Sequence, residues 1–245
     1  MKIKFCGITN IEDAKNAINL GADYLGFIID FPQSPRSITL EQFMALSAKV
    51  QNCDSGILSE ANQIPNSQPR RQAGKFQIPK IVAVTVDMAE NKLNKFLDSN
   101  LIDILQFHGN ETPELCGRFK NRAEVWRLFK ISPDDNLEKT ISDLKRFKGK
   151  IDRFLIDSAS ADDKAKGAAK KFDNFSLFKN FEQAGYPLVL AGGINPDNVK
   201  LYIEKLNPEI IDVASGIEDR PGKKSLKKMK ELIKIVNKYN RKKAN

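Results

Sequence analysis

KFCGITN, Lys4 to Asn10, closes a short apolar strand on a cysteine and passes at once into a helix. Thr9 or Asn10 can cap that helix, Glu12 and Asp13 suit its positive N-terminus, Ala14, Ala17 and Ile18 form an inner stripe, and Gly21 ends it. A reactive side chain at the C-terminal tip of a strand is where α/β barrels keep their chemistry. Taken alone, the run is weak evidence, because buried free cysteines usually pack as small hydrophobes.

The same grammar, an apolar run, then a polar or glycine tip, then a helix, returns in RFLIDS at 153–158, AGGIN at 191–195 and ASGIE at 214–218. Strand candidates fall at 2–6, 24–29, 80–86, 102–107, 124–130, 153–157, 187–191 and 210–214, each ahead of a plausible helix. Eight βα units joined by right-handed crossovers close a barrel, and 245 residues match the roughly 250 such a fold takes. The expectation is one parallel (βα)8 barrel over 1–245. It carries a polar loop insertion at about 54–79, where Ser, Asn, Gln and Pro crowd out large apolar side chains, and a basic C-terminal helix from about 220.

The net charge of +9 suggests nucleic acid until it is located. From Arg220 onward there are eleven Lys/Arg and one acid, Glu231, a balance of +10 that leaves the first 219 residues at −1. Leu226, Met229, Leu232, Ile233, Val236 and Tyr239 recur there at helical spacing, so the lysines read as the solvated face of an amphipathic helix, with a basic docking patch as the sharper alternative. Three cysteines, Cys6, Cys53 and Cys116, with no CxxC spacing argue against a disulfide framework and a zinc site, and a single histidine argues against a His-based metal centre or a serine-hydrolase triad. No run approaches the roughly 20 apolar residues of a membrane span, and nothing resembles a signal peptide, which points to a soluble cytoplasmic protein.

Together with GFIIDFPQSPR at 26–36 and LQFHGNE at 105–111, these segments resemble phosphoribosylanthranilate isomerases of tryptophan biosynthesis, in the family's order from about Lys2 to about Val236. The resemblance implies an Amadori rearrangement of N-(5-phosphoribosyl)anthranilate without any cofactor, because the anthranilate nitrogen serves as the electron sink. It implies Cys6 as general base and Asp157 as general acid. A thiol beside cations or a helix N-terminus yields a usable thiolate, and a carboxyl following Phe154, Leu155 and Ile156 on an apolar rim is desolvated enough to act as a donor. By residue type alone Asp157 could equally be a helix N-cap.

The implied substrate carries a phosphate and a benzoate. Gly192 and Gly193 after the seventh strand, and Ser215 and Gly216 after the eighth, are where backbone amides can approach a phosphate; each pair alone could be an ordinary tight turn. Arg36 is the family's counterpart for the carboxylate, although Asp30 lengthens its loop by one residue, and any single loop arginine can also be plain surface. His108, in the Q-x-H-G pattern, is expected to line the site or to hold a turn. Asp212 either orients the site or satisfies backbone donors.

Two departures stand out. Most members have only a short connection where this chain has 54–79, and their glycine-rich run after the sixth strand reads KGAAKK here at 166–171. A β-methyl at positive φ costs about 1 kcal/mol, so weaker substrate affinity is expected. The rival readings are another sugar-phosphate barrel isomerase, such as the histidine-pathway enzyme, whose first strand would end in Asp, and a non-catalytic nucleic-acid-binding barrel. The expected partner is a phosphorylated small molecule, with the chain a monomer or homodimer.

Overall fold

The computed structural model describes residues 1–52, 71–72, 75–76, 78–130, 137–157 and 187–244. Eight parallel strands form the barrel: β1 (Lys2–Cys6), β2 (Tyr24–Ile29), β3 (Lys80–Thr85), β4 (Ile104–Phe107), β5 (Glu124–Lys130), β6 (Arg153–Asp157), β7 (Leu188–Ala191) and β8 (Ile210–Val213), and the two-residue strand Ser37–Ile38 adds to the end of β2 as a ninth. Each pairs with its neighbours in the chain, and β1 pairs with both β2 and β8, so the sheet closes on itself as a (βα)8 barrel. The described helices are α1 (Ile11–Asn19), α2 (Leu40–Gln51), α3 (Glu90–Asp98), α4 (Pro113–Phe119), α5 (Leu137–Arg146), α6 (Val199–Leu206) and α7 (Leu226–Ala244).

Strand alternation divides the apolar residues between two cores. Phe5, Leu25, Phe27, Ile81, Ala83, Leu105 and Ile211 face outward against the helices, while Tyr24, Val82, Ile104, Trp126, Leu155, Val189 and Ile210 fill the lumen. Tyr24 and Trp126 meet edge to face at 5.2 Å. Around the amino end Lys80 pairs with Glu124, and Arg153 with both Glu124 and Glu209, so that mouth is plugged and ion-paired. The carboxyl end is left to carry the site.

A repeated device sets the register. The aspartate just before each of β2, β4 and β6 accepts from a backbone N–H of the preceding strand: Asp23 from Ile3, Asp103 from Ile81 and Asp152 from Val125, at 2.7–2.8 Å. This explains why the fourth strand starts at Ile104 rather than 102, because Asp103 is turned to its neighbour.

The first helix is capped by Asn10, whose side chain accepts from the Asp13 N–H, with Ala14 and Ala17 buried and Gly21 at φ +81° behind it. In α7 Met229, Leu232, Ile233 and Val236 are buried while Lys227, Lys230, Lys234 and Lys238 are exposed. The basic end is not uniformly solvated, however. Lys224 is 3% exposed beneath Glu218, and Lys228 donates to the Glu218 carbonyl at 2.6 Å. Within 54–79, Arg71–Gln72 and Lys75–Phe76 pair antiparallel. Most of that stretch, with Cys53, Ser158 and the 166–171 loop, lies outside the described residues.

Candidate active site

At the carboxyl end of the barrel a cavity of about 590 Å³ is lined by Cys6, Arg36, His108, Asp157, Gly192, Gly193, Ser215 and Gly216, so all eight site residues expected from the sequence border one cavity. That volume suits a drug-sized ligand. Cys6 ends β1 and Asp157 ends β6, each 7% exposed, with β7 and β8 between them.

Four of these residues come from the loops after β7 and β8. Gly192 and Gly193 take φ +98° and +60°, a region that costs a side-chain-bearing residue about 1 kcal/mol or more. Two asparagines lock the turn: Asn198 Oδ1 accepts from the Asn195 N–H at 2.9 Å, and Asn198 Nδ2 donates to the Gly193 carbonyl at 3.0 Å. Gly216 fits for a different reason. A Cβ there would lie 1.9 Å from the Ile194 carbonyl oxygen, so the two loops pack backbone to backbone. Ser215–Ile217 is a turn of 3-10 helix beside them.

Arg36 is fixed before any ligand arrives. Its Nε donates to Glu218 Oε1 and Oε2 at 2.9 and 3.1 Å, and its Nη2 to Oε2 at 2.7 Å. Lys224 Nζ reaches the same carboxylate at 2.8 Å and the Ala214 carbonyl at 3.1 Å. The residue added at position 30 is absorbed locally: Asp30 adopts φ +49°, accepts from the Leu40 N–H and pairs with Lys92. Burial opposes ionisation of Glu218, but Arg36 and Lys224 outweigh it and hold the carboxyl below the ordinary glutamate range. Because the native value is depressed, this carboxylate contributes stability above the ordinary glutamate value, and the contribution is lost as pH falls through the native one. Glu218→Gln, leaving two cations without their partner, is expected to destabilise by about 3 kcal/mol at pH 7. Urea midpoints measured from pH 7 down to pH 3 check it: the variant's deficit should shrink with acidity, and a constant deficit would refute the ionic account.

Beneath the cavity floor lies a second charged group. Lys4, on β1 two residues before Cys6, is completely buried in the lumen, with Nζ 2.8 Å from Asp212 Oδ2 across the β1–β8 register. Burial disfavours its charge, yet Asp212 and Cys6 more than offset this and hold the ammonium above its ordinary value. Burial pushes the Cys6 thiol up, against the pull of Lys4 and of Lys224. Beside it, the Gln106 side-chain amide meets His108 Nδ1 at 3.2 Å.

Sequence reasoning brought the rim residues together and missed what holds them: Lys4, Glu218, Lys224 and Gln106. A lysine inside an otherwise apolar strand, in phase with Cys6, was the available signal for Lys4. Nothing in the sequence pairs Arg36 with a glutamate 182 positions away. Among the described residues no group of three or more His, Cys, Asp or Glu side chains could hold a metal ion.

A closed barrel with a plugged amino end, and a carboxyl, a thiol and two glycine-bearing loops around one cavity, together define a (βα)8-barrel enzyme. The family model described as N-(5'phosphoribosyl)anthranilate (PRA) isomerase matches residues 59–235, and the chain belongs to that family of isomerases. It is 34% identical to the N-(5'-phosphoribosyl)anthranilate isomerase of Thermoanaerobacter sp. (strain X514) over 96% of this chain and 98% of the relative. Among solved structures it resembles phosphoribosyl anthranilate isomerase from Thermotoga maritima, with TM-score 0.75, 27% identity and 97% and 99% of the two chains covered. It also resembles a phosphoribosyl anthranilate isomerase in complex with reduced 1-(o-carboxyphenylamino)-1-deoxyribulose 5-phosphate, with TM-score 0.71, 26% identity and 97% and 99% covered.

Proposed function

We propose that the protein converts N-(5-phosphoribosyl)anthranilate to 1-(2-carboxyphenylamino)-1-deoxyribulose 5-phosphate in cytoplasmic tryptophan biosynthesis, with Cys6 as general base and Asp157 as general acid. The observation that carries this reading is the placement of Cys6 and Asp157 at the rim of one cavity, on either side of the β7 and β8 cradle.

Asp157 gives its proton to the furanose ring oxygen. The bond from that oxygen to C1 breaks, and the anthranilate nitrogen lone pair forms the C1=N bond of a protonated Schiff base. Cys6 thiolate then removes the C2 proton, and the electron pair moves into the C1–C2 bond and back onto nitrogen to give the enolamine. Proton return to C1 and loss of the enol proton give the ketone, so no electrons leave the substrate and no cofactor is needed.

Phosphate sits at the amides of Gly192, Gly193, Ser215 and Gly216, and the benzoate carboxylate meets Arg36, whose guanidinium Glu218 holds in place. His108 lines the sugar's path. Freshly generated phosphoribosylanthranilate mixed with purified protein should lose its anthranilate-conjugate fluorescence within seconds. Folded protein that leaves the fluorescence unchanged refutes the assignment.

A further inference from the structure

We propose that Lys4 is the positioning residue of the general base: anchored by Asp212, its ammonium supplies the fixed countercharge against which the Cys6 thiolate forms. The inference rests on Cys6 acting as the base. Lys4 and Cys6 are two apart on β1 and so point into the same lumen. Gly26, paired with Cys6 on β2, makes the room: a Cβ there would lie 2.8 Å from Cys6 Sγ and 3.0 Å from Lys4 Cε. The two side chains therefore face one space, where the ammonium, bonded to Asp212 Oδ2 at 2.8 Å, and the sulfur each favour the other's charged form. An ammonium has three donors, so its bond to Asp212 leaves others to turn toward a thiolate.

The need for such a group follows from the burial. A thiolate that is 7% exposed in a lumen of Val84, Leu155 and Ala191 has lost most of its solvation, and an opposite charge held within contact distance is what restores it. The charged groups that face Cys6 are Lys4 on its own strand, Asp212 on β8, and Lys224 beyond β8; Asp157 on β6 faces Asp212. Lys224 is already committed to Glu218 and the Ala214 carbonyl. Lys4 is the one whose other partner, Asp212, keeps it protonated in the apolar interior. Asp212 does this at a cost to the thiolate, which it repels. The pull of Lys4 on the thiolate exceeds that repulsion, so the anchored pair as a whole favours the ionised sulfur.

The test is the pH dependence of Cys6 alkylation by iodoacetamide, followed on the Cys6 peptide by mass spectrometry. Lys4→Gln, which keeps a donor for Asp212 but no charge, should raise the alkylation midpoint by about one pH unit or more. It should also lower kcat at pH 7 at least tenfold while KM stays within about twofold, because the lost charge is felt in the proton-abstraction step. Lys4→Arg, which keeps the charge, should leave the midpoint within a few tenths of a pH unit of the parent. A folded Lys4→Gln whose midpoint does not rise, or a Lys4→Arg whose midpoint rises as far, overturns the inference. If Lys4→Gln does not fold, the double replacement Lys4→Met with Asp212→Asn, which removes both charges, decides: the pull of Lys4 exceeds the push of Asp212, so a midpoint that rises supports the role, and one that stays or falls ends it. Cys6→Ser separates the layers, since full turnover without the thiol overturns the base assignment itself, whereas unshifted midpoints in an enzyme that needs Cys6 overturn only the part given to Lys4.

Discussion

Cys6→Ser and Asp157→Asn are each expected to lower kcat about 10³-fold and to leave KM within a few-fold of the parent. The size follows from what each side chain does. A positioned acid or base contributes roughly 10²–10⁴ in rate, and both replacements keep shape while removing proton affinity or proton supply. Serine puts an oxygen where the sulfur was, but its hydroxyl does not ionise near neutrality, so even an ideally placed Lys4 has no anion to stabilise. Asparagine fills the space of Asp157 and offers no acidic proton to the ring oxygen. KM is spared because neither residue belongs to the phosphate cradle or to the Arg36–Glu218 grip. The double variant should be little worse than the poorer single one, since without ring opening there is no C2 proton to abstract. Stopped-flow fluorescence with each variant checks this, beside thermal melts within a few degrees of the parent. A folded single variant that retains more than a tenth of the parent kcat would remove that residue from its role.

What could be read in the sequence divides along a physical line. The strands announce themselves because each must bury both faces in a barrel, so Phe154–Ile156 or Val82–Val84 stand out as continuous apolar runs between polar ends. The tips announce themselves because glycine at positive φ, or a cysteine or aspartate ending such a run, has few other reasons to be there. The limits of the strands and the supports of the site are less legible, since both depend on partners distant in sequence. Asp103 reads as part of a strand until its carboxylate is seen on the Ile81 amide. Lys224 reads as one lysine of a basic tail, yet it is buried against Glu218 and, with Arg36, holds that carboxylate ionised. Lys4 was hidden by its setting, because a lysine in a strand ordinarily faces water, and only barrel closure brings Asp212 across from it. A charge buried in a lumen costs several kcal/mol unless it is paired, and the pairing with Asp212 is what lets Lys4 stand there.

Gly216→Ala is expected to raise KM by about two orders of magnitude and to destabilise the fold by roughly 2–3 kcal/mol. The added methyl carbon would stand 1.9 Å from the Ile194 carbonyl oxygen and 2.8 Å from both the Ile194 carbonyl carbon and Asn195 Cβ. Two of those atoms are backbone, in a loop that Asn198 already ties at the Asn195 N–H and the Gly193 carbonyl, so no side chain can swing aside. The loops after β7 and β8 must part, and the phosphate site proposed at Gly192, Gly193, Ser215 and Gly216 is pulled open. Losing two charge-assisted hydrogen bonds to phosphate, each worth about 1.5 kcal/mol, gives the expected rise in KM. Cys6 and Asp157 stand on their own strand ends and stay in place, so kcat should fall far less than KM rises. Gly149→Ala is the control, for Gly149 sits at φ +76° with nothing within 4 Å of an added Cβ. It should cost about 1 kcal/mol of backbone strain and leave KM untouched. Inorganic phosphate should protect the parent and the Gly149→Ala variant against thermal unfolding, and protect Gly216→Ala much less. Equal protection of all three would mean that the phosphate is held elsewhere than between these loops.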